Sequence, residues 1–266
     1  MFVNSMHLTM KRVDAPEILD SGNCSLRETQ SVLKVLGRVN RWFGGVATTQ
    51  KMVERAAFAT GAKQFSMLEV AAGLGELPEL VRLNLARRGI SLHTTLLDRA
   101  QTHLPAASAN GTNHISQSHG VVADALALPF ADEAFDLVSC NLFAHHLDAE
   151  PLANFAREGL RVSRCALLIN DLVRHPLHLS LAYAGYPIMR NRVAWLDGLT
   201  SVRRAYVPCE IRSILESAVA ADTNSTIEIS RNFLFRMGVI VWKTAEPGFP
   251  KEHHEGRPVS SDECRT

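Results

Sequence analysis

No stretch of this 266-residue chain approaches the roughly 20 consecutive apolar residues that a helix needs to cross a bilayer. Residues 1–20 mix polar with short apolar side chains and lack the apolar centre of an export signal, so a cytoplasmic protein is expected. Charge of one sign is missing too. The 28 Lys and Arg against 27 Asp and Glu leave a formal net charge of +1, which argues against a nucleic-acid or anionic-membrane surface. The five cysteines (Cys24, Cys140, Cys165, Cys209, Cys264) form no C-x-x-C pair, and an odd, scattered set reads as free thiols in a reducing compartment. The eleven histidines lack H-x-x-x-H or H-E-x-x-H spacing, so no metal is expected. There is no internal repeat.

What is present is enough apolar material, 46% of residues, for the core of one ordinary domain with embellishments. Ser25-Leu-Arg-Glu28 matches a capping box, and Val32, Leu33, Leu36 and Val39 continue an apolar helical stripe. Trp42-Phe-Gly-Gly45 breaks that helix and another follows over 49–59, so residues 1–62 read as a helical extension or lid. Strands are expected at 65–70, 91–97, 119–123, 135–140 and 165–170, with helices over 78–88 and from about Glu150-Pro151. Arg87, Arg88 and Gly89 supply the charge and C-cap of the first of these helices. The polar stretch 106–117 reads as loop. Residues 171–207 break the alternation and read as an inserted cap. A helix over 208–220 and hairpin-like strands at 226–230 and 236–242 complete a domain spanning 63–244. The tail, 245–266, is rich in Pro, Gly, His and charge and is expected to be disordered. Alternating strands and helices mean a mainly parallel sheet with helices on both faces. Ligands of such sheets sit beyond the carboxyl ends of the strands, at the switch point beside the first strand.

The segment 68–78, Leu-Glu-Val-Ala-Ala-Gly-Leu-Gly-Glu-Leu-Pro, falls at that point. Gly73 and Gly75 make a turn with no side chain in the way, and Pro78 suits the first turn of the following helix. Strand, glycine turn and helix N-terminus together bring backbone N–H groups close to a ligand. Pro78 occupies the place of the third glycine of a dinucleotide fingerprint, and Glu69 would repel a pyrophosphate. An acid there suits a cationic or hydroxyl-bearing ligand. The arrangement resembles the first motif of class I S-adenosylmethionine-dependent methyltransferases.

Asp98, ending the second strand, can accept both hydroxyls of a ribose, or cap the stretch 99–104, or do both. The next segments form a connected series: Asp124-Ala125-Leu-Ala-Leu-Pro129-Phe130, then Phe135-Asp136-Leu-Val138, then His145-His146-Leu147. The series resembles "D-A-x-x-L-P-F … F-D-x-V … H-H-L" of small-molecule methyltransferases related to those of ubiquinone and menaquinone biosynthesis. The resemblance covers about 65–220, most specifically 68–147. It implies a Rossmann-like seven-stranded sheet with S-adenosylmethionine as cofactor, held by Glu69, Ala71, Gly73, Gly75, Asp98, Arg99, Asp124, Ala125 and Asn141. By the same resemblance Asp124 and Ala125 meet the adenine, Asn141 lies against the methionine part and Asp136 is structural. Ala144 departs from the bulkier residue usual before the two histidines, which would enlarge the pocket.

His145 or His146 is a candidate general base for a phenolic proton, against a packing role for one or both rings. Methyl transfer can also proceed mainly by alignment in a dry pocket. For the acceptor, Tyr183, Tyr186, Trp195 and Tyr206, with Trp42 and Phe43, are candidates for an aromatic cap over a flat ring, with ordinary core packing as the alternative. Arg174 leaves strand five towards that cap, and Arg203 and Arg204 are candidates for an anionic substrate, against a solvated surface role. The cap loosely resembles methyltransferases of aromatic polyketide and phenolic-lipid pathways. The expectation is therefore methyl transfer to oxygen or activated carbon of an aromatic, quinone or polyketide-like small molecule, without nucleic acid or membrane span, a homodimer being compatible with it. Two rivals stand beside it: a nicotinamide oxidoreductase, and a cofactor-binding subunit without catalysis.

Overall fold

Among the residues described by the computed structural model (10–21, 24–104, 119–220 and 225–243), seven strands form one sheet. They are β1 (Gln64–Val70), β2 (Ser91–Asp98), β3 (His119–Val122), β4 (Phe135–Asn141), β5 (Ser163–Leu172), β6 (Thr226–Asn232) and β7 (Arg236–Trp242). Their order is β3-β2-β1-β4-β5-β7-β6. β1 to β5 run parallel, and the β6–β7 hairpin is inserted so that β7 lies antiparallel to β5. The order reverses between β1 and β4, which opens the crevice beyond their carboxyl ends. The expected tail over 245–266 and the loop over 106–117 lie outside the described residues.

Eight α-helices accompany the strands among the described residues: α1 (Leu26–Trp42), α2 (Gly45–Thr60), α3 (Glu76–Ala86), α4 (Ala149–Val162), α5 (Pro176–Ala184), α6 (Tyr186–Met189), α7 (Arg192–Arg204) and α8 (Pro208–Val219). Successive strand residues point to opposite faces, so each central strand feeds two apolar layers. Met67, Leu137, Leu168 and Ile240 join α2 and α3 through Val53, Ala56, Val81 and Leu85. Leu68, Val138, Leu167, Val239 and Val241 face the other way, onto Phe155 of α4 and Ile211 and Leu215 of α8. Burial on both faces explains why these strands read as continuous apolar runs.

Several boundaries move. α2 starts at Gly45, directly after Gly44 turns the chain at φ 82°. A side chain on Gly44 would stand 3.1 Å from the Phe233 carbonyl, so the α1–α2 corner sits tightly on the β6–β7 turn. α2 is thus part of the layer covering the sheet, and among the described residues the strap 10–21 and α1 remain of the expected extension. β5 continues through Leu172, so Asp171 belongs to the sheet and the cap starts after it. The capping box predicted at Ser25 and Glu28 is formed. α1 packs Val32 and Val35 against Ala194 of α7, which joins strap, α1 and cap into one covering layer.

Candidate active site

Two residues other than glycine take positive φ where the crevice opens: Ala71 after β1 (54°) and Leu142 after β4 (53°). Each costs on the order of 1 kcal/mol, and such strain collects at ligand clefts. With Gly73 (φ 53°) they turn both chains back from a cavity of about 750 Å3, a size suited to a cofactor and a small ligand. Glu69, Ala71, Gly73, Asp98, Arg99, Asp124, Ala125 and Asn141 all line it. Gly75 does not. It completes the turn at φ 70°, where a side chain would strike Leu96 of β2.

Asp98 closes the glycine turn. Its Oδ2 accepts from the Gly73 N–H (3.0 Å), while Oδ1 accepts from the Ala100 N–H (3.0 Å) and faces His103 Nδ1 (3.1 Å). The cap expected over 99–104 is therefore a short turn through Ala100. Burial works against the charge, but His103 and the two N–H groups hold the Asp98 carboxyl below its usual range. Of roughly four acceptor positions on a carboxylate, three are used, so one remains for a hydroxyl. Asp124 is exposed and accepts from the Leu126 N–H at 2.9 Å through Oδ1. Asp136 sits at the amino ends of the strands, on Ser66 and Arg164, in the structural role expected of it.

Glu69 is 1% exposed, and its Oε2 has no hydrogen-bond partner. Burial pushes its carboxyl up to about 7, with the Ser139 hydroxyl opposing. Beside it, Asn141 Oδ1 accepts from Arg236 Nη1 at 3.2 Å. Arg236 is fully buried and also donates to Asn40 of α1 and Asn170 of β5. Burial among neutral amides lowers its pKa to about 10. This hub, which ties α1 to the carboxyl ends of β4 and β5, carries no local pattern in sequence.

The two histidines have different surroundings. His145 is 2% exposed and does not line the cavity, which removes it as a direct base. Its Nδ1 lies 2.7 Å from Oδ1 of buried Asp171, and its Nε2 faces Glu17 at 3.4 Å. Burial disfavours its charge, but Asp171 and Glu17 outweigh that and raise its pKa to about 9. His146 does open to the cavity, with Nδ1 2.8 Å from Asp20 Oδ2 and Nε2 3.7 Å from Glu17 Oε2. Glu17 and Asp20 come from the strap, where isolated acids gave no signal. The strap is held by Asp197, which accepts the N–H groups of Ile18 and Leu19. Arg12 and Arg204 donate to the backbone carbonyls of the His-His turn.

The expected acceptor residues fall elsewhere. Arg174 is consumed by Glu210 and the carbonyls of Met10 and Ala205, so it faces no ligand. Tyr206 is buried, with its hydroxyl on the Leu147 carbonyl. Tyr183 and Tyr186 pack edge-on around Trp195, and Arg203 donates to the Tyr183 hydroxyl. Neither these residues nor exposed Trp42 lines the cavity. Ala144 is fully buried in the core and does not widen the pocket. Part of the cavity wall is formed instead by Thr29, Leu33, Leu36, Gly37 and Asn40. Their spacing is one face of α1.

Residues 68–165 match the family model described as a methyltransferase domain. No curated protein matches the sequence. Among solved structures, the plantazolicin methyltransferase BpumL, in complex with a triazolic desmethylPZN analog and SAH, is 12% identical with a TM-score of 0.62, over 85% of this chain and 93% of that one. A putative S-adenosyl-L-methionine-dependent methyltransferase from Methanococcus maripaludis is 14% identical with a TM-score of 0.54, over 85% and 97%. An O-methyltransferase family 2 protein from Planctomyces limnophilus, in complex with apigenin, is 15% identical with a TM-score of 0.56, over 84% and 63%. At such identities the likeness speaks for the fold. The matched segment contains the glycine turn and the whole series through the two histidines. Residues 68–165 thus carry a methyltransferase domain, and the fold is that of class I S-adenosylmethionine-dependent methyltransferases. No helix among the described residues is long and apolar enough to cross a membrane.

Proposed function

We propose that this methyltransferase alkylates an oxygen, or an activated carbon, of an aromatic or polyketide-like small molecule. The observation that carries the reading is the two-sided character of the cavity. Its sheet side presents Glu69, Gly73, Asp98, Asp124 and Asn141, the residues that match the cofactor motifs. Its covering side presents Leu33 and Leu36 of α1, and the turn after β4 adds Phe143 and Leu147, together an apolar lining fit for a flat ring. At the edge of that wall stand Glu17, Asp20 and His146, the polar groups nearest to an acceptor hydroxyl that must lose its proton. The strap and α1 act as the lid: they exclude water and align nucleophile, methyl and sulfur, which is the main requirement when the sulfonium is already a strong electrophile.

In this reading Asp98 receives the ribose, Asp124 and Ala125 the adenine, and Glu69 answers the cofactor's amino group. The neighbours that bind apigenin and a plantazolicin analog support a natural-product acceptor, in line with the apolar wall. Calorimetric titration with S-adenosylhomocysteine and with NAD, followed by methyl-transfer assays on phenols and hydroquinones, tests the proposal. Tight NAD binding without S-adenosylhomocysteine binding would falsify the cofactor assignment. Transfer to peptides alone would overturn the acceptor class.

A further inference from the structure

Where the strap crosses the His-His turn, both imidazoles are anchored in the same way. Nδ1 of His145 lies 2.7 Å from Asp171 Oδ1, and Nδ1 of His146 lies 2.8 Å from Asp20 Oδ2. A carboxylate on Nδ1 keeps the ring proton there and leaves Nε2 for a ligand bond, the outer-shell pattern of metal-binding histidines. The two Nε2 atoms then converge on one carboxylate. Nε2 of His145 stands 3.4 Å from Glu17 Oε1, and Nε2 of His146 stands 3.7 Å from Glu17 Oε2. Donors about 2.0–2.1 Å from a tetrahedral zinc lie roughly 3.4 Å from one another. Nε2 of His145 is buried and makes no hydrogen bond, and the donor atoms of all three residues lie within 4.8 Å of one another.

We propose that Glu17, His145 and His146 bind one divalent first-row metal ion, with zinc the natural probe. Two imidazoles and a carboxylate suit zinc or iron and disfavour magnesium and calcium, which prefer oxygen donors alone. Glu17, Asp20 and Asp171 place three carboxylates around the two imidazoles, and the Arg204 guanidinium is held on the His145 and His146 carbonyls. Arg12, also on this turn, is balanced by Asp148 at 2.7 Å. Binding displaces the proton of His145, as metal binding to histidine generally does. Glu17 and His146 border the cavity, so the open side of the ion faces it and leaves room for water or an acceptor oxygen. Polarisation of that oxygen rests on the acceptor reading above, whereas metal binding does not.

The sequence hid this site because one ligand comes from the strap and the two others are adjacent residues, a spacing outside the usual metal motifs. The test uses the full chain after chelator treatment, titrated with Zn2+ and with Co2+. One equivalent of each should bind, Co2+ with visible d–d bands, and Zn2+ should raise the melting temperature. His146→Ala and Glu17→Gln should each weaken Zn2+ at least tenfold, and Asp20→Asn about 10- to 100-fold, the range for outer-shell partners. Circular dichroism and a cooperative thermal transition establish that each variant is folded, and near-isosteric Glu17→Gln serves if His146→Ala is not. No stoichiometric binding by the parent, or equal binding by a folded variant, overturns the proposal. The second outcome would assign the ion to other histidines.

Discussion

Replacing Glu69 by Gln should stabilise the unliganded protein at pH 8 and do much less at pH 5. The side chain is 1% exposed and its carboxyl is pushed by burial to about 7, against an ordinary value of 4.5. Between those values the native state holds a proton that the unfolded chain has released. Stability therefore falls as pH rises through this window, and the cost is complete above pH 7. At about 1.4 kcal/mol per unit, the cost reaches about 3 kcal/mol at pH 8 and about 1 kcal/mol at pH 5. Gln keeps the shape and removes the charge. For a chain of this size the gain at pH 8 corresponds to a melting temperature higher by roughly 6–12 °C. Chemical denaturation of parent and variant at both pH values measures the difference. A cationic cofactor group beside Glu69 should offset the same cost, so the variant should also bind S-adenosylhomocysteine more weakly at pH 8. Parallel stability curves for the two proteins, or a loss at pH 8, would refute the reasoning.

Asp98→Ala should weaken S-adenosylhomocysteine by about 1.5–3 kcal/mol in calorimetry, the scale for hydrogen bonds to a charged group. It should also lower the melting temperature, because the Gly73 and Ala100 N–H groups lose their acceptor. Arg236→Leu should cost about 3–5 kcal/mol in urea denaturation, since it leaves Asn40, Asn141 and Asn170 with unpaired amide oxygens around a buried site. Tyr183→Ala and Trp42→Ala should leave the acceptor KM within about threefold, a change below 1 kcal/mol. Leu33→Ala, on the cavity face of α1, should raise it more, and steady-state kinetics separate the two sites.

The sheet and its cofactor end were legible because their signals are local. Leu68-Glu-Val70 running into Gly73 and Gly75 announces strand, turn and helix within a dozen residues. The alternation of seven strands and their helices required only periodicity. Glu69, Asp98 and Asn141 reach one cavity because parallel strands must end on the same side. The acceptor end was not legible. Tyr183, Arg203 and Arg174 have the chemistry of ligand residues, yet an edge-on aromatic cluster, a tyrosine hydroxyl and Glu210 take them up. Conversely, Glu17, Asp20 and Asn40 carry no pattern along the chain. Only the strap, tied to Asp197, and α1, joined to Arg236, bring them to the histidines and the cleft. Local sequence specifies backbone geometry through propensity and period. Which distant polar groups share a buried site is decided by the packing of whole elements, because each such group must find its partner across the fold.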